Sequence, residues 1–470
     1  MNFENLNLGF VSNFEFRISN LSLRDMQITV EKIVYPGRSL GRGEDGIATF
    51  TEGGLAGEIV ELDIYKKKKS FKEGRITGII ESSPLRISPR CPSFGHCGGC
   101  SFQHTGYEYQ VEIKEGYVRE LLNPFDIAVS PLVKSPEEWG YRNKMEFSFF
   151  AQTGELQVGL HKKGAFNRYF SVPPCFISDR DFLPVIESVI AFARDSRLPA
   201  YDLKTHQGFY RHLVVRKGKR TGHLLVNLVT NRQDGVADDL FNPLVDSLKE
   251  KIHSFYWTKN SRASDAVIAD EPCLLWGREM IEEQMLIKGR VYTFVISPFS
   301  FFQTNTLGAE RLYETVVDLL HGVKEDRVLD LYCGTGTISL MLAPYVQEVL
   351  GVEQLPDAIE NAEVNKKRNG IENVSFEAGT VEKWIKHGAK PDVNCLVLDP
   401  PRSGVSNRVI DFIGQSQPER IVYVSCNPAT LARDLKGITE KVNYQIEHAI
   451  PLDLFPQTYH VEVVVSMKRM

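Results

Sequence analysis

The hydrophobic rhythm of the chain changes twice. From Met26 to about Pro84, apolar and polar residues alternate in short runs, QITVEKIVY, GIATF, AGEIVELDIYK and GRITGIIE, separated by turn segments such as PGRSLGRGEDG and EGG. A period of two with closely spaced glycine turns predicts a small β-barrel of the oligonucleotide-binding kind over 26–84. Residues 1–25 have no clear period and read as an arm. Over 85–290 the pattern is mixed, with strands MEFSFFA, LQVGLH, HLVVRK and HLLVNLV and a helical DFLPVIESVIAFARD, which predicts an α+β domain. Over 291–470, apolar runs RVLDLYC, EVLGVEQ, NVSFEAG, CLVLDPP and RIVYVSC alternate with helical TISLMLAPYV, DAIENAEVNKKRNG, VSNRVIDFIGQ and ATLARDLKGI. Such alternation predicts βαβ units on a doubly wound parallel sheet, an α/β fold whose ligands bind beyond the C-terminal ends of the strands. Gly370 is placed to end one of the helices.

Composition narrows the class. The 470 residues leave room for several domains, and 42% hydrophobic with 24% charged residues is the profile of an ordinary globular protein. No membrane span is visible, and the N-terminus lacks the basic-then-apolar pattern of a secretory signal. Eight cysteines are unevenly spread, three of them (Cys91, Cys97, Cys100) within CPSFGHCGGC, with Cys175 next along the chain. That clustering points to a metal in a reducing, cytoplasmic compartment rather than to disulfides. Four thiols suit tetrahedral zinc or an iron–sulfur cube, and spacing does not separate the two. His96 and His104 read as surface residues.

A formal net charge of -5 excludes a uniformly basic nucleic-acid coat. Charge is nonetheless concentrated. Lys204, Arg211, Arg216, Lys217, Lys219 and Arg220 occur without an intervening acid, and KKKK at 66–69 is followed by Lys72 and Arg75. Local basic surface of this kind attracts phosphate, which favours RNA as a partner.

The chemistry-bearing positions lie at the ends of predicted strands. YVSCNP puts Cys426 at a strand's C-terminal end, where Asn427 and Pro428 stop a central strand. DLYCGTGT (330–337) offers Gly334 and Gly336 for a tight turn, and Glu353 ends the next strand where an acid accepts from a ribose diol. Ser339 occupies the third position of a dinucleotide fingerprint, so a pyrophosphate ligand fits poorly. The openings left are a compact S-adenosylmethionine site or glycines that serve only the turn. LDPPR holds Asp399 stiffly at the sheet edge, with Arg402 where amine-methylating enzymes carry an aromatic residue.

Carbon 5 of a pyrimidine becomes nucleophilic once a thiolate adds to carbon 6, and its proton must later be taken by a base. Glu462, opening the apolar run of YHVEVVVSM, is the candidate base; the competing reading is an edge-strand charge that blocks aggregation. His460 is either a helper or structural.

SFFQTN (300–305), DLYCGTGT, LDPPR, YVSCNPATLARD and YHVE, in this order, resemble the S-adenosylmethionine-dependent RNA uracil-5-methyltransferase family over nearly the full chain. The resemblance implies Cys426 as nucleophile and Glu462 as base. It also implies Gln303, Tyr332, Gly334, Gly336, Thr337, Glu353, Thr380 and Asp399 on the cofactor side. Thr337 and Thr380 stand where relatives often have Asn or Asp. The same resemblance favours a [4Fe-4S] cluster over zinc on Cys91, Cys97, Cys100 and Cys175, a TRAM type for the barrel, and 23S rRNA as substrate with tRNA as the alternative. The target uridine would be flipped out of its stack. The barrel, YRNK (141–144) and RHLVVRKGKR (211–220) are the expected RNA grip of a monomer. Two other classes compete. A nicotinamide oxidoreductase would need the missing pyrophosphate loop, and a non-catalytic RNA-binding factor would not need both Cys426 and Glu462.

Overall fold

In this computed structural model, residues 26–470 are described apart from Phe166 and residues 172–174, 234–235, 238, 265–269, 321–325 and 387–392. The arm predicted over 1–25 lies outside the described residues. The chain gathers into two compact units, one ending at Ser83 and the other comprising Pro84–Met470 together with Val34–Gly37. No helix among the described residues is long and apolar enough to cross a membrane.

The smaller unit is a closed barrel of β1 (Met26–Val34), β2 (Arg38–Arg42), β3 (Ala48–Thr51), β4 (Ile59–Lys67) and β5 (Phe71–Glu81), in the order β1-β2-β3-β5-β4. Its period of two turns Ile28, Val30, Val60, Leu62 and Ile64 into one core. Strand β2 falls inside PGRSLGRGEDG, which reads as a turn by composition. Glycine is what lets it pair: a Cβ at Gly41 would lie 2.2 Å from the Thr29 carbonyl oxygen.

In the larger unit, α1 (Tyr107–Leu122) precedes a sheet of β6 (Lys144–Gln152), β7 (Glu155–His161), β8 (Tyr169–Ser171), β9 (Tyr210–Lys217), β10 (Leu224–Thr230), β11 (Ser254–Lys259) and β12 (Glu271–Gly277). Its order is β12-β11-β10-β9-β6-β7-β8. Helices α2 (Phe182–Asp195) and α3 (Asn242–Leu248) pack Val185, Val189 and Leu244 against Leu213 and Val226 of this sheet. A hairpin of β13 (Ile281–Ile287) and β14 (Arg290–Ile296) follows, so a division at 290/291 runs through a paired element. Its Met285, Tyr292 and Phe294 belong to the same core as Val328 and Val464 farther on.

The C-terminal sheet contains β15 (Arg327–Leu331), β16 (Glu348–Glu353), β17 (Val374–Ala378), β18 (Cys395–Leu398), β19 (Arg420–Ser425), β20 (Tyr444–Leu452) and β21 (Glu462–Arg469), in the order β17-β16-β15-β18-β19-β21-β20. Helices α4 (Thr306–Leu319), α5 (Thr337–Leu342), α6 (Pro356–Arg368), α7 (Val381–Lys386), α8 (Asn407–Ser416) and α9 (Pro428–Lys441) accompany it. Val328, Val422 and Val464 enter one core and Leu329, Tyr423 and Val465 the other, which is why these strands read as unbroken apolar runs. Strand order reverses beside β15, where β16 and β18 leave on opposite sides, and a crevice at the strand ends follows from that topology. Strand β21 is antiparallel to β19, with Ser425 opposite Val463. The start of β21 therefore meets the end of β19 at the same sheet edge.

Candidate active site

Cys426 follows the last residue of β19 and is half-buried. Its turn is held from both sides. The Asn427 side chain caps α9 by accepting the N–H groups of Ala429 and Thr430, and its amide donates to the Arg402 carbonyl at 3.0 Å. Thr430 Oγ1 donates to the same carbonyl at 3.2 Å. The LDPPR loop and the thiol turn are thus one bonded unit.

Glu462 is buried at the first position of β21, an interior strand between β19 and β20, so the reading as an edge-strand charge does not hold. Burial pushes its carboxyl up to about 8, the charge of Asp399 adds to this, and Arg402 opposes it. Burial likewise pushes the Cys426 thiol up to about 11, reinforced by Glu462 and Asp399 and opposed by Arg402. Asp399, at the end of β18, is raised to about 7 by burial and by Asp330. The structure therefore brings together one thiol, two protonatable carboxyls and one guanidinium. An Arg402 N–H lies 3.2 Å from His460 Nε2, and His460 is lowered to about 4, by burial first and then by Arg402. The ring is neutral at physiological pH.

The glycine loop forms at the other strand ends. Tyr332 adopts φ +68°, Gly334 +56° and Gly336 +76°, a left-handed sequence that turns β15 into α5. A Cβ at Gly336 would lie 2.6 Å from the Phe376 ring, whereas at Gly334 it would meet open space. Gly336 thus serves packing, and Gly334 leaves room for a ligand. Glu353 accepts the N–H groups of Gly334 (3.2 Å) and Leu355 (2.9 Å), which fixes its carboxylate under the loop. The Gly379 N–H donates to the Glu353 carbonyl at 2.8 Å, drawing Thr380 to the same side. Thr380 Oγ1 already accepts the Lys383 N–H and so begins α7.

Residues given no role from the sequence also belong here. Tyr313 of α4 is buried, hydrogen-bonds Thr337 and feels the charges of Asp399 and Glu462, so it joins the loop to the carboxyl pair. Asp330 is buried and raised to about 7 by burial, with Ser339 Oγ donating to Oδ2 at 2.5 Å; its Oδ1 has no hydrogen-bond partner among the described residues. Tyr35 packs edge-on against Tyr117 and Tyr459 and is raised to about 12, by burial above all, with Cys426 and Glu462 contributing.

Gln303 stands in the SFFQTN loop that leads into α4. It lines a cavity of about 620 Å³ together with Cys91, Cys97, Cys100 and Cys175, and Arg402 and His460 reach the same wall. Arg216, fully buried, donates to the Ser300 and Phe302 carbonyls at 2.7 and 3.2 Å and so shapes the SFFQTN loop. Cys97, Cys100 and Cys175 are all raised chiefly by burial, and each also feels other thiols of the set. Backbone N–H groups approach the sulfurs: Gly99 donates to Cys97 at 3.3 Å, and Ile177 and Ser178 donate to Cys175. Such donors suit thiolate ligands. Among the described residues, however, no three His, Cys, Asp or Glu side chains are arranged to hold a metal ion, which bears equally on zinc and on an iron–sulfur cluster.

Two expectations need correction. His104 is buried against Phe94 and Phe102, not at the surface. The basic run after Lys204 is largely engaged with partners in the protein, although Arg220 remains exposed. Arg211 and Arg216 are buried on carbonyl oxygens, Lys217 pairs with Asp179 and Asp181, Lys219 with Glu137, and Arg220 with Glu310. YRNK is similarly occupied: Tyr141 Oη donates to the Pro456 carbonyl at 2.9 Å, and Asn143 donates to the Gln303 carbonyl at 3.1 Å.

The sequence model of the tRNA (uracil-5-)-methyltransferase family matches residues 106–388 and 387–470. The chain belongs to this family. It is accordingly an RNA-directed methyltransferase, and its relatives extend over its length. An RNA methyltransferase of Caldanaerobacter subterraneus is 40% identical, covering 94% of this chain and 98% of the relative. One from Clostridium tetani is 39% identical, covering 95% and 98%. Among solved structures, the Pyrococcus abyssi tRNA (uracil-54, C5)-methyltransferase, in complex with S-adenosyl-L-homocysteine, is similar with a TM-score of 0.75 and 29% identity, covering 94% of this chain and 99% of that one.

Proposed function

We propose that this methyltransferase places a methyl group on carbon 5 of a uridine in RNA, with Cys426 as nucleophile and Glu462 as base. The observation that carries the proposal is the pairing of β19 with β21, which sets one half-buried thiol against one buried carboxyl beside Arg402. In this reading the Cys426 thiolate adds to carbon 6, and the electron pair released into the ring makes carbon 5 nucleophilic. Arg402 favours that thiolate against the cost of burial. S-adenosylmethionine, when bound, supplies the electrophilic methyl. Glu353 would accept from its ribose, a role supported by its bond to the Gly334 N–H and the open space at Gly334, and Asp399, Gln303, Tyr332, Gly334, Gly336, Thr337 and Thr380 are the other residues expected on the cofactor side. After transfer, Glu462 as carboxylate takes the carbon 5 proton, the C5–H electron pair forms the carbon 5–carbon 6 double bond, and the carbon 6–sulfur bond breaks with its pair leaving on Cys426 as thiolate.

Cys91, Cys97, Cys100 and Cys175 would hold a [4Fe-4S] cluster; with all four ligand positions filled it would supply rigidity rather than radical chemistry. For the acceptor, the sequence reading favours large-subunit rRNA, while the likeness to the Pyrococcus abyssi enzyme supports tRNA. One experiment tests nucleophile and acceptor together. Transcripts of tRNA and of 23S rRNA containing 5-fluorouridine are incubated with S-adenosylmethionine and run on a denaturing gel. The wild type should form a covalent complex with its acceptor, because fluorine cannot leave as a proton does, and Cys426→Ala should form none. A complex with the alanine variant would transfer the nucleophile's role to another residue.

A further inference from the structure

Besides its own turn bonds, the connection between β20 and β21 is tied to residues outside the C-terminal sheet at four successive carbonyls. The Leu454 carbonyl accepts Asn305 Nδ2 (2.8 Å), that of Phe455 accepts Lys114 Nζ (3.1 Å), and that of Pro456 accepts Tyr141 Oη (2.9 Å). The Gln457 carbonyl accepts the N–H groups of Ser101 (2.8 Å) and Phe102 (3.0 Å), the two residues that follow Cys100. Lys114 also pairs with Asp453 at 2.7 Å, with both side chains fully buried. At the centre stands Gln457, buried, with φ +70°. A non-glycine residue in this region is strained, and persists where its surroundings over-determine it.

Here the side chain supplies the reason for the strain. Gln110 Oε1 accepts the Gln457 N–H at 2.9 Å, and Gln110 Nε2 donates to Gln457 Oε1 at 3.0 Å. The same Gln110 amide also donates to the Phe102 and Thr105 carbonyls, at 3.2 and 3.1 Å. A turn that merely reversed the chain would be served better by glycine. This one instead staples the cysteine-bearing segment, through α1, to the five residues that lead into Glu462. Cys426 has separate support, from Asn427 and the Arg402 carbonyl.

We propose that Gln457 is a positioning residue which, clamped by Gln110 to the segment after Cys100, sets where Glu462 meets the methylated ring. The proposal rests on the reading of Glu462 as the base. It separates the two halves of the reaction: the cysteine segment governs proton removal and release, and leaves thiol addition and methyl transfer to the β18 and β19 loops.

The test uses full-length protein purified anaerobically, unmodified tRNA and 23S rRNA transcripts, and S-adenosylmethionine labelled in its methyl group, in single-turnover quenches. Label in RNA reports methyl transfer, and labelled RNA still bound to protein on a denaturing gel reports unreleased adduct. Gln457→Ala should transfer methyl within about twofold of the wild-type rate yet release product at least about tenfold more slowly, with methylated adduct accumulating. Gln457→Gly, relieved of left-handed strain, should behave alike and carries the test if the alanine variant does not fold. Transfer and release falling by one common factor would show a merely structural turn and overturn the proposal, as would unchanged release. Glu462→Gln is the control. If it accumulates adduct and the Gln457 variants do not, the positioning role alone fails; if it releases product normally, the base assignment falls and takes the positioning role with it.

Discussion

Glu462 occupies a position that an uncharged residue would hold more stably. Its ordinary value is 4.5, and burial takes it to about 8 in the folded protein. A carboxyl raised on folding contributes stability that is fully present below about pH 4.5 and lost as pH rises through about 8. Glu462→Gln removes that loss. The variant should therefore melt above the wild type at pH 8, by about 2 kcal/mol or more, and the advantage should vanish near pH 5. Thermal melts at the two pH values check this, and equal melts at pH 8 would mean the carboxylate is well solvated. Cys426 and Glu462 could be found in the sequence because each stands at the end of an apolar strand beside a motif. Tyr313 could not, because what joins it to the candidate site is burial beside Thr337, Asp399 and Glu462, all distant in the chain.

At the scale of elements, the thiol turn and the DPPR loop act as one piece through Asn427. Asn427→Ala removes the α9 cap, at a cost of about 1 kcal/mol, and also the bond to the Arg402 carbonyl. The expected result is a melt lowered by a few degrees, with trapping of 5-fluorouridine RNA slowed about tenfold, out of proportion to the stability lost. A variant that loses only stability would show that Cys426 is held by the strand alone. The parallel strands were readable because both faces are buried, which makes them continuous apolar runs. Strand β2 and the β13–β14 hairpin escaped for different reasons. The first has a turn's composition and pairs only because Gly41 has no side chain, and the second is defined by pairing across the Lys288–Gly289 turn.

Across the whole molecule, charge counted along the sequence and charge available to RNA are different quantities. Lys217 is engaged with Asp179 and Asp181, whereas Lys67, Lys68 and Lys69 of the smaller unit are exposed. Binding of tRNA transcript across a salt series should thus keep its slope in Lys217→Ala and lose about two to three units when Lys67, Lys68 and Lys69 are all changed to Ala. A slope that drops with Lys217 would return that residue to the RNA surface. The sequence by itself determined the doubly wound sheet, the barrel, the family and the residues at the strand ends, because periodicity and motif spacing are local and survive in one dimension. Only the tertiary structure decided that Glu462 lies inside the sheet, that the basic residues from Arg211 to Arg220 are bonded to carbonyls and carboxylates of the protein, and that the segment after Cys100 grips Gln457. Each of these depends on pairing and desolvation between residues far apart in the chain, and such energies exist only once the chain has folded.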